Sequence, residues 1–293
     1  MSTVPGAGII ELRSPNAILY QPNTTILNIY MIILTGHKGF IGKKFDTALT
    51  KLGKKVYGVE QNDCSYFRNH FNSWNDVEMI IHQGAISSTT ETNLDKIYEY
   101  NIDFSQWLFT MAAKHNIPVK YASSASVYGN QTGIINPLNY YALSKVTIDY
   151  WVEDHMEEFP LIQGFRYFNV YGDGENHKAD QASPVSKFTK QIKETGKLKL
   201  FEGSENYLRD FICVDDIVDL VLGNGKKSGI YDLGTSAPVS FQFVAECCIK
   251  KYGGDIEYIP FPNHLKGKYQ DYTCAKKLWG DYKFKTIPQY LEC

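Results

Sequence analysis

Between a short apolar run and an amphipathic segment the chain reads Gly36-His-Lys-Gly39-Phe-Ile-Gly42, and few short patterns constrain a fold as strongly. The preceding Met31-Ile-Ile-Leu-Thr35 has the continuous apolar character of a strand buried on both faces of a parallel sheet. Phe40 to Leu52 carries apolar residues at helical spacing, and Gly53 closes it. A strand that turns through glycine into a helix presents unpaired N–H groups and a positive dipole end, which favours an anion. The first glycine permits the tight turn, the second admits a diphosphate and the third lets helix lie close on strand. Lys55 to Val59 reads as a second strand, ending in Glu60, eighteen residues beyond Gly42. A carboxylate there accepts hydrogen bonds from an adenosine ribose, favouring NAD, whereas Lys38 within the turn would suit the 2′-phosphate of NADP; both stay open. A P-loop is a poor fit, because Gly42-Lys43 is followed by Lys44 instead of Ser or Thr.

The alternation continues. Met79 to His82 reads as a third strand, Ile97 to His115 as one long amphipathic helix, and Val119 to Ser123 as a fourth strand. Strands alternating with helices predict an α/β fold with a doubly wound parallel sheet of Rossmann type and a smaller C-terminal substrate-binding region. Residues 31–168 form the dinucleotide-binding domain in this reading, with returning elements at about 210–235. Residues 169–209 and 236–293 form the substrate-binding region. Gly164 to Tyr171 reads as one strand, Ser183 to about Thr195 as a helix, and the proline-containing tail as an irregular lid-like region. Residues 1–30 precede the first pattern and form a leader without an assigned role.

Composition excludes several classes. Apolar residues make up 43% of 293 and the formal net charge is −2, which supports a sizeable core. No basic stripe marks a nucleic-acid partner. No run of about 18 apolar residues is long enough to cross a membrane. The six cysteines stand at no metal-ligand or C-x-x-C spacing. They read as reduced thiols of a cytoplasmic protein without a metal.

Tyr141 and Lys145 stand four residues apart in Tyr140-Tyr-Ala-Leu-Ser-Lys145, hence on one face of a helix. Tyr140 is off that face. A nearby ammonium and a positive nicotinamide both favour tyrosinate, lowering the phenol toward a usable base. Ser124, at a strand end in Ala122-Ser-Ser-Ala125, is placed to hydrogen-bond the same substrate oxygen. The bland alternative is a surface Tyr–Lys pair and a turn serine.

Together these residues resemble the extended short-chain dehydrogenase/reductase family, and within it the ADP-L-glycero-D-manno-heptose 6-epimerases, from Met31 nearly to the C-terminus. The most specific stretches include His82-Gln-Gly-Ala-Ile-Ser-Ser-Thr-Thr-Glu91, Gly164-Phe-Arg-Tyr-Phe-Asn-Val-Tyr-Gly172, Glu175-Asn-His-Lys178, Lys199-Leu-Phe-Glu-Gly-Ser-Glu-Asn206 and Tyr258-Ile-Pro-Phe-Pro262, of which Phe201 to Asn206 and Ile259 to Pro262 are the narrower markers. The resemblance implies a tightly bound NAD or NADP and a nucleotide-sugar substrate oxidised at C6 to a ketone, turned, and reduced on the other face. It makes Ser124, Tyr141 and Lys145 catalytic and Lys178 the second acid/base group. It lines the cofactor with Gly36, Lys38, Gly39, Phe40, Ile41, Gly42, Glu60, Gln61, Gln83, Gly84, Ala85, Ile86, Ser87, Asn101 and Val170, beside Tyr141 and Lys145. It assigns the substrate to Asn169, Asp180, Lys187, Phe201, Glu202, Gly203, Ser204, Arg209 and Tyr269. A homo-oligomer is compatible with it. For Arg209 the alternatives are a diphosphate contact or an ion pair with Asp210 or Asp215.

Departures are visible. The chain is short between Glu60 and His82, without the lysines that would hold a 2′-phosphate, and its C-terminal helix is curtailed. Asp173-Gly174 replaces Pro-Arg, Ala179-Asp180 replaces Gly-Ser, and Lys187 stands where histidine is usual. Rival readings are a 4-epimerase or a 4,6-dehydratase of another nucleotide sugar, or a non-catalytic dinucleotide-binding regulator. Ala125-Ser126 after Ser124, in place of an acidic pair, argues against the dehydratase. The complete Ser–Tyr–Lys set argues against the regulator.

Overall fold

A computed structural model describes residues 30–130, 133–175, 178, 181–263 and 274–293. The leader, with Asp180 and Tyr269, lies outside the described residues apart from Tyr30.

Chain order runs β1 (Met31–Thr35), α1 (Phe40–Lys51), β2 (Lys55–Val59), α2 (Cys64–His70), β3 (Val77–His82), α3 (Leu94–Ile97), α4 (Phe104–Lys114), β4 (Val119–Ser124), α5 (Tyr140–His155) and β5 (Ile162–Tyr167). It continues with β6 (Asn169–Tyr171), α6 (Pro184–Thr195), β7 (Lys197–Phe201), β8 (Leu208–Arg209), β9 (Phe211–Cys213), α7 (Val214–Gly223), β10 (Gly229–Leu233), β11 (Val239–Ser240), α8 (Phe241–Tyr252), β12 (Asp255–Ile259) and α9 (Ile287–Leu291).

Six strands form one sheet in the order β10-β5-β4-β3-β1-β2, and every neighbouring pair is parallel. A parallel sheet is buried on both faces, and β1 shows the consequence residue by residue. Met31 and Ile33 point into a cluster with Leu108 and Phe109 of α4 and Ile148 and Val152 of α5. Ile32 and Leu34 point into another with Phe45 and Leu49 of α1 and Ile217 and Val221 of α7. The order reverses between β1 and β3, so a crevice opens above their carboxyl ends.

A third cluster joins Phe188 and Ile192 of α6, Leu198 and Leu200 of β7, Val244 and Cys248 of α8, and Ile287 and Leu291 of α9. Small pairings knit this part together: β6 with β9 and β7 with β12 in parallel, β8 with β11 antiparallel.

Three readings of the sequence need correction. The helix expected over Ile97 to His115 is interrupted by a π segment, Tyr98–Asp103, between α3 and α4. One extra residue in the turn carries the buried Asn101 inward toward neighbouring loops. The strand expected over Gly164 to Tyr171 breaks at Phe168, whose N–H bonds to the Leu233 carbonyl while Asn169 turns to Asp210. Its two halves belong to different sheets. The tail is more regular than its prolines implied: Ser240 caps α8 by accepting the Phe243 N–H, and β12 pairs with β7.

Candidate active site

The floor of the crevice is main chain. Gly36 adopts φ +67, and a Cβ on Gly42 would sit far inside van der Waals contact of the Gly36 carbonyl oxygen. Any side chain there would push α1 off the turn. α1 begins at Gly39 with no side-chain cap and no acid in its first turn, whereas α5, α6 and α8 are capped by Asn139, Ser183 and Ser240. Uncapped donors at a helix start, above a turn closed to side chains, fit the diphosphate of a dinucleotide. Glu60 Oε1 accepts the Lys38 N–H at 2.7 Å and lies 3.0 Å from His37 Nδ1. The Lys38 side chain itself is exposed.

A shelf at Gly84 to Ser87 faces the glycine turn. Behind it, Asn101 clamps Ile86, accepting its N–H at 2.7 Å and donating to its carbonyl at 3.0 Å. Ser105 donates its hydroxyl to the Asn101 carbonyl, so it must accept from His82 Nε2–H, 2.8 Å away. The other imidazole nitrogen then accepts from Thr35, 2.7 Å away, whose oxygen takes the Gly84 N–H. Each donor in this buried chain meets one acceptor, provided that His82 is neutral. Burial holds its pKa down to about 3.

One flank of the crevice belongs to α5. The Asn139 cap starts this helix at Tyr140, which leaves Tyr140 exposed and turns Tyr141 and Lys145 toward the cavity. Lys145 Nζ donates to the Ala122 carbonyl at 2.8 Å and lies 5.9 Å from the Tyr141 ring centroid. Burial lowers the Lys145 pKa to about 8, against the opposing pull of Asp149. For Tyr141, burial raises the pKa and outweighs the hydrogen bond with Ser124, which lowers it. The lowered phenol expected from the sequence is therefore not the state of the protein alone. A positive charge must enter the cavity to reverse the balance.

Lys178 borders the same cavity, its ammonium 5.0 Å from the centre of the Phe40 ring. Burial lowers its pKa, while Glu175 raises it. The segment carrying it is stapled by Glu175, a buried carboxylate that accepts the Gly172 N–H and both the N–H and hydroxyl of Ser183. Phe40 opens α1, which packs on the opposite face of the sheet from α5. The cavity, about 410 Å³, thus has Tyr141 and Lys145 on one flank and Lys178 on the other.

A protein-family model, the NAD dependent epimerase/dehydratase family, matches residues 32–234, well over half of the chain. The chain belongs to that family. It is 38% identical to the ADP-L-glycero-D-manno-heptose-6-epimerase of Alkalilimnicola ehrlichii, over 84% of this chain and 88% of the relative. The crystal structure of the Helicobacter pylori enzyme of that name superposes with a TM-score of 0.71 at 25% identity, covering 90% of this chain and 91% of the other. UDP-glucose 4-epimerase from Thermotoga maritima, solved with UDP-glucose, shares the fold at a TM-score of 0.73 and 21% identity, covering 89% and 96%.

In this NAD-dependent epimerase/dehydratase chain the cavity wall includes Gly36, Gly39 to Gly42, Glu60, Gln61 and Gln83 to Ser87 beside the two flanks. Ser124 stands just behind it, bonded to Tyr141. Asn101 supports the wall from outside it, and Val170 packs into the core under α1. The residues named for the substrate sit farther out. Asn169 donates to the Asp210 carbonyl. Phe201 to Ser204 form a turn, with Ser204 buried and Phe201 against Phe261. Arg209 is half-buried, its guanidinium 6.0 Å from the Phe241 ring. Lys187 borders a separate groove beside α6 and α9.

The sequence reasoning missed the groups that hold these loops. Asp210, fully buried, accepts from Thr235, Ser236 and Ala275. Glu175, His82 and the cavity-lining Gln181 were likewise unforeseen. Only His82 carried a signal, standing alone among apolar residues at the end of a buried strand. Among the described residues no cluster of His, Cys, Asp or Glu is placed to hold a metal, and no helix is long and apolar enough to cross a membrane.

Proposed function

We propose that this chain is a nucleotide-sugar epimerase that interconverts the two C6 epimers of ADP-glycero-manno-heptose through a C6 ketone. The observation that carries the reading is a single cavity with proton-handling groups on opposite flanks, Tyr141 with Lys145 from one face of the sheet and Lys178 beside α1 from the other. Inversion needs the hydroxyl proton taken off on one side of C6 and given back to the same oxygen on the other, while hydride leaves and returns to the carbon, and the Tyr–Lys flank serves one of those sides. Bound NAD supplies the hydride acceptor and donor.

Tyr141 takes the hydroxyl proton of one epimer, with Ser124 holding the same oxygen and Lys145 favouring the phenolate. Lys178, its charged form disfavoured by burial, does the same for the other epimer. Glu60, facing the turn with its carboxylate, favours NAD over NADP because a 2′-phosphate would meet like charge. The relative named for the ADP-heptose reaction supports the sugar assignment.

The test is incubation with ADP-D-glycero-D-manno-heptose in deuterated water, followed by NMR. The expected result is conversion to the L-glycero epimer without deuterium at C6. Deuterium at C6, or turnover only of a UDP-sugar, contradicts the reading.

A further inference from the structure

One of the places where the chain departs from the proteins it resembles, Asp173-Gly174, has a partner far along the chain. The hydroxyl of Tyr290, in α9, lies 2.7 Å from Asp173 Oδ1. A carboxylate accepts only, so the phenol donates. Burial and the Asp173 carboxylate both push the Tyr290 hydroxyl well above the usual tyrosine range, which keeps that donor protonated.

α9 is a firm place to bond from. Ile287 and Leu291 are buried against α6 and α8, and Thr286 and Gln289 cap the helix reciprocally. The Tyr290 ring packs edge-on against Tyr171, with 5.3 Å between centroids. Tyr171 in turn donates its hydroxyl to the Lys285 carbonyl at 2.6 Å.

Asp173 belongs to the loop that leaves β6 and carries Lys178. Its neighbour Gly174 has φ +107 and rests on Phe40, where an added Cβ would come within 3.7 Å of the ring. The Lys178 ammonium lies over the same ring, 5.0 Å from its centre. Within one residue the backbone passes from α9 to the ring beneath the lysine, in a conformation that glycine takes readily. Glu175 joins the two ends of the loop, Gly172 and Ser183. Those bonds close the loop, whereas the bond to Tyr290 fixes where it sits against a separate element.

We propose that Tyr290, acting through Asp173, is a positioning residue that seats the loop of Lys178 against the cavity. The second flank is then held from α9. This rests on the reading of Lys178 as the acid/base group for one epimer. Tyr290 and Asp173 lie outside the wall of the cavity that holds Tyr141, so their effect on turnover passes through Lys178.

Single-turnover reduction of bound NAD by each pure C6 epimer of ADP-glycero-manno-heptose tests it, in the parent, Lys178→Met, Tyr290→Phe and Asp173→Ala. Tyr290→Phe keeps the ring against Tyr171 and removes only the donor. Asp173→Ala removes the acceptor at an exposed position. Each is expected to slow reduction by the epimer that Lys178→Met blocks, about fivefold. The rate with the other epimer and the Kd for NAD should stay at parental values. The double variant should lose no more than either single one, and Tyr290→Phe should lose nothing further in the Lys178→Met background. Thermal melting checks that each variant is folded.

Equal slowing of both epimers, or slowing of the one that Lys178→Met spares, overturns the inference. So does a double variant in which the two losses multiply. If Lys178→Met itself leaves both epimers at the parental rate, the reading of Lys178 falls and this inference with it. If Lys178→Met blocks one epimer and Tyr290→Phe slows neither, only this inference falls.

Discussion

The two halves of the cavity are built by different means. The glycine turn and the Gly84 shelf are main chain brought so close that side chains are shut out, and the sheet beneath fixes them. The outer half is a set of loops tied from inside by two buried carboxylates, Glu175 between residues 172 and 183 and Asp210 between 235, 236 and 275. Backbone close packing gives an unchanging grip on an unchanging cofactor. Carboxylate staples hold loops whose exposed residues can differ without disturbing the anchor, a design suited to a site that must fit one sugar.

The largest effect should come from the outer half. Asp210→Ala strands donors from Thr235, Ser236 and Ala275 around an emptied site and should cost about 3–4 kcal/mol of stability. The check is thermal melting at neutral pH, with the surviving folded protein still binding NAD at parental affinity. A parallel collapse of NAD binding would break the distinction between the halves.

Gly42→Ala reverses the pattern. Its Cβ has no room beside the Gly36 carbonyl, and overpacking at the phosphate site should weaken NAD binding about a hundredfold. Calorimetry measures this directly; near-parental binding would show that the turn has slack. Glu175→Gln keeps one acceptor oxygen but sets an amide NH2 against the donors of Gly172 and Ser183, loosening the hold beside Lys178. Steady-state kinetics should show kcat lowered about tenfold, with the Kd for NAD unmoved.

The legibility of the sequence follows the same division. Gly36, Gly39 and Gly42, like Tyr141 and Lys145, act through spacings fixed by one turn or one helical period, so a single segment displays them. Asp210 acts on partners up to 65 residues away; those of Glu175 are only three and eight residues away, but they lie across an irregular loop with no period, and nothing in either neighbourhood marks an anchor. The π segment keeps nearly the apolar rhythm of a helix, so it passed for one. The break at Phe168 depends on the Leu233 carbonyl, which local reading cannot see. α8 was readable: Ser240 stands as a cap before Val244, Ala245 and Cys248 on one face, and the prolines of the tail hid it.

The remaining effect is electrostatic and is read as a pH dependence. Lys145 titrates near pH 8 in the folded protein against 10.5 for an unperturbed lysine. Its neutral form is the one the buried site favours, so its contribution is complete above pH 10.5 and is lost as pH falls through about 8. Lys145→Met should therefore melt above the parent at pH 7, with the gap closing toward pH 10.5. The same variant should lose turnover. A gap that widens with pH would show that Lys145 is stabilised in its charged form.

The central claim is that the two flanks serve opposite epimers. Single-turnover reduction of bound cofactor, followed by absorbance with each pure C6 epimer of ADP-glycero-manno-heptose, tests it most directly. The account predicts that Tyr141→Phe blocks reduction by one epimer, about a thousandfold, and spares the other, while Lys178→Met does the reverse. If one variant blocks both epimers and the other blocks neither, one flank carries all the proton transfer and the two-sided account is wrong.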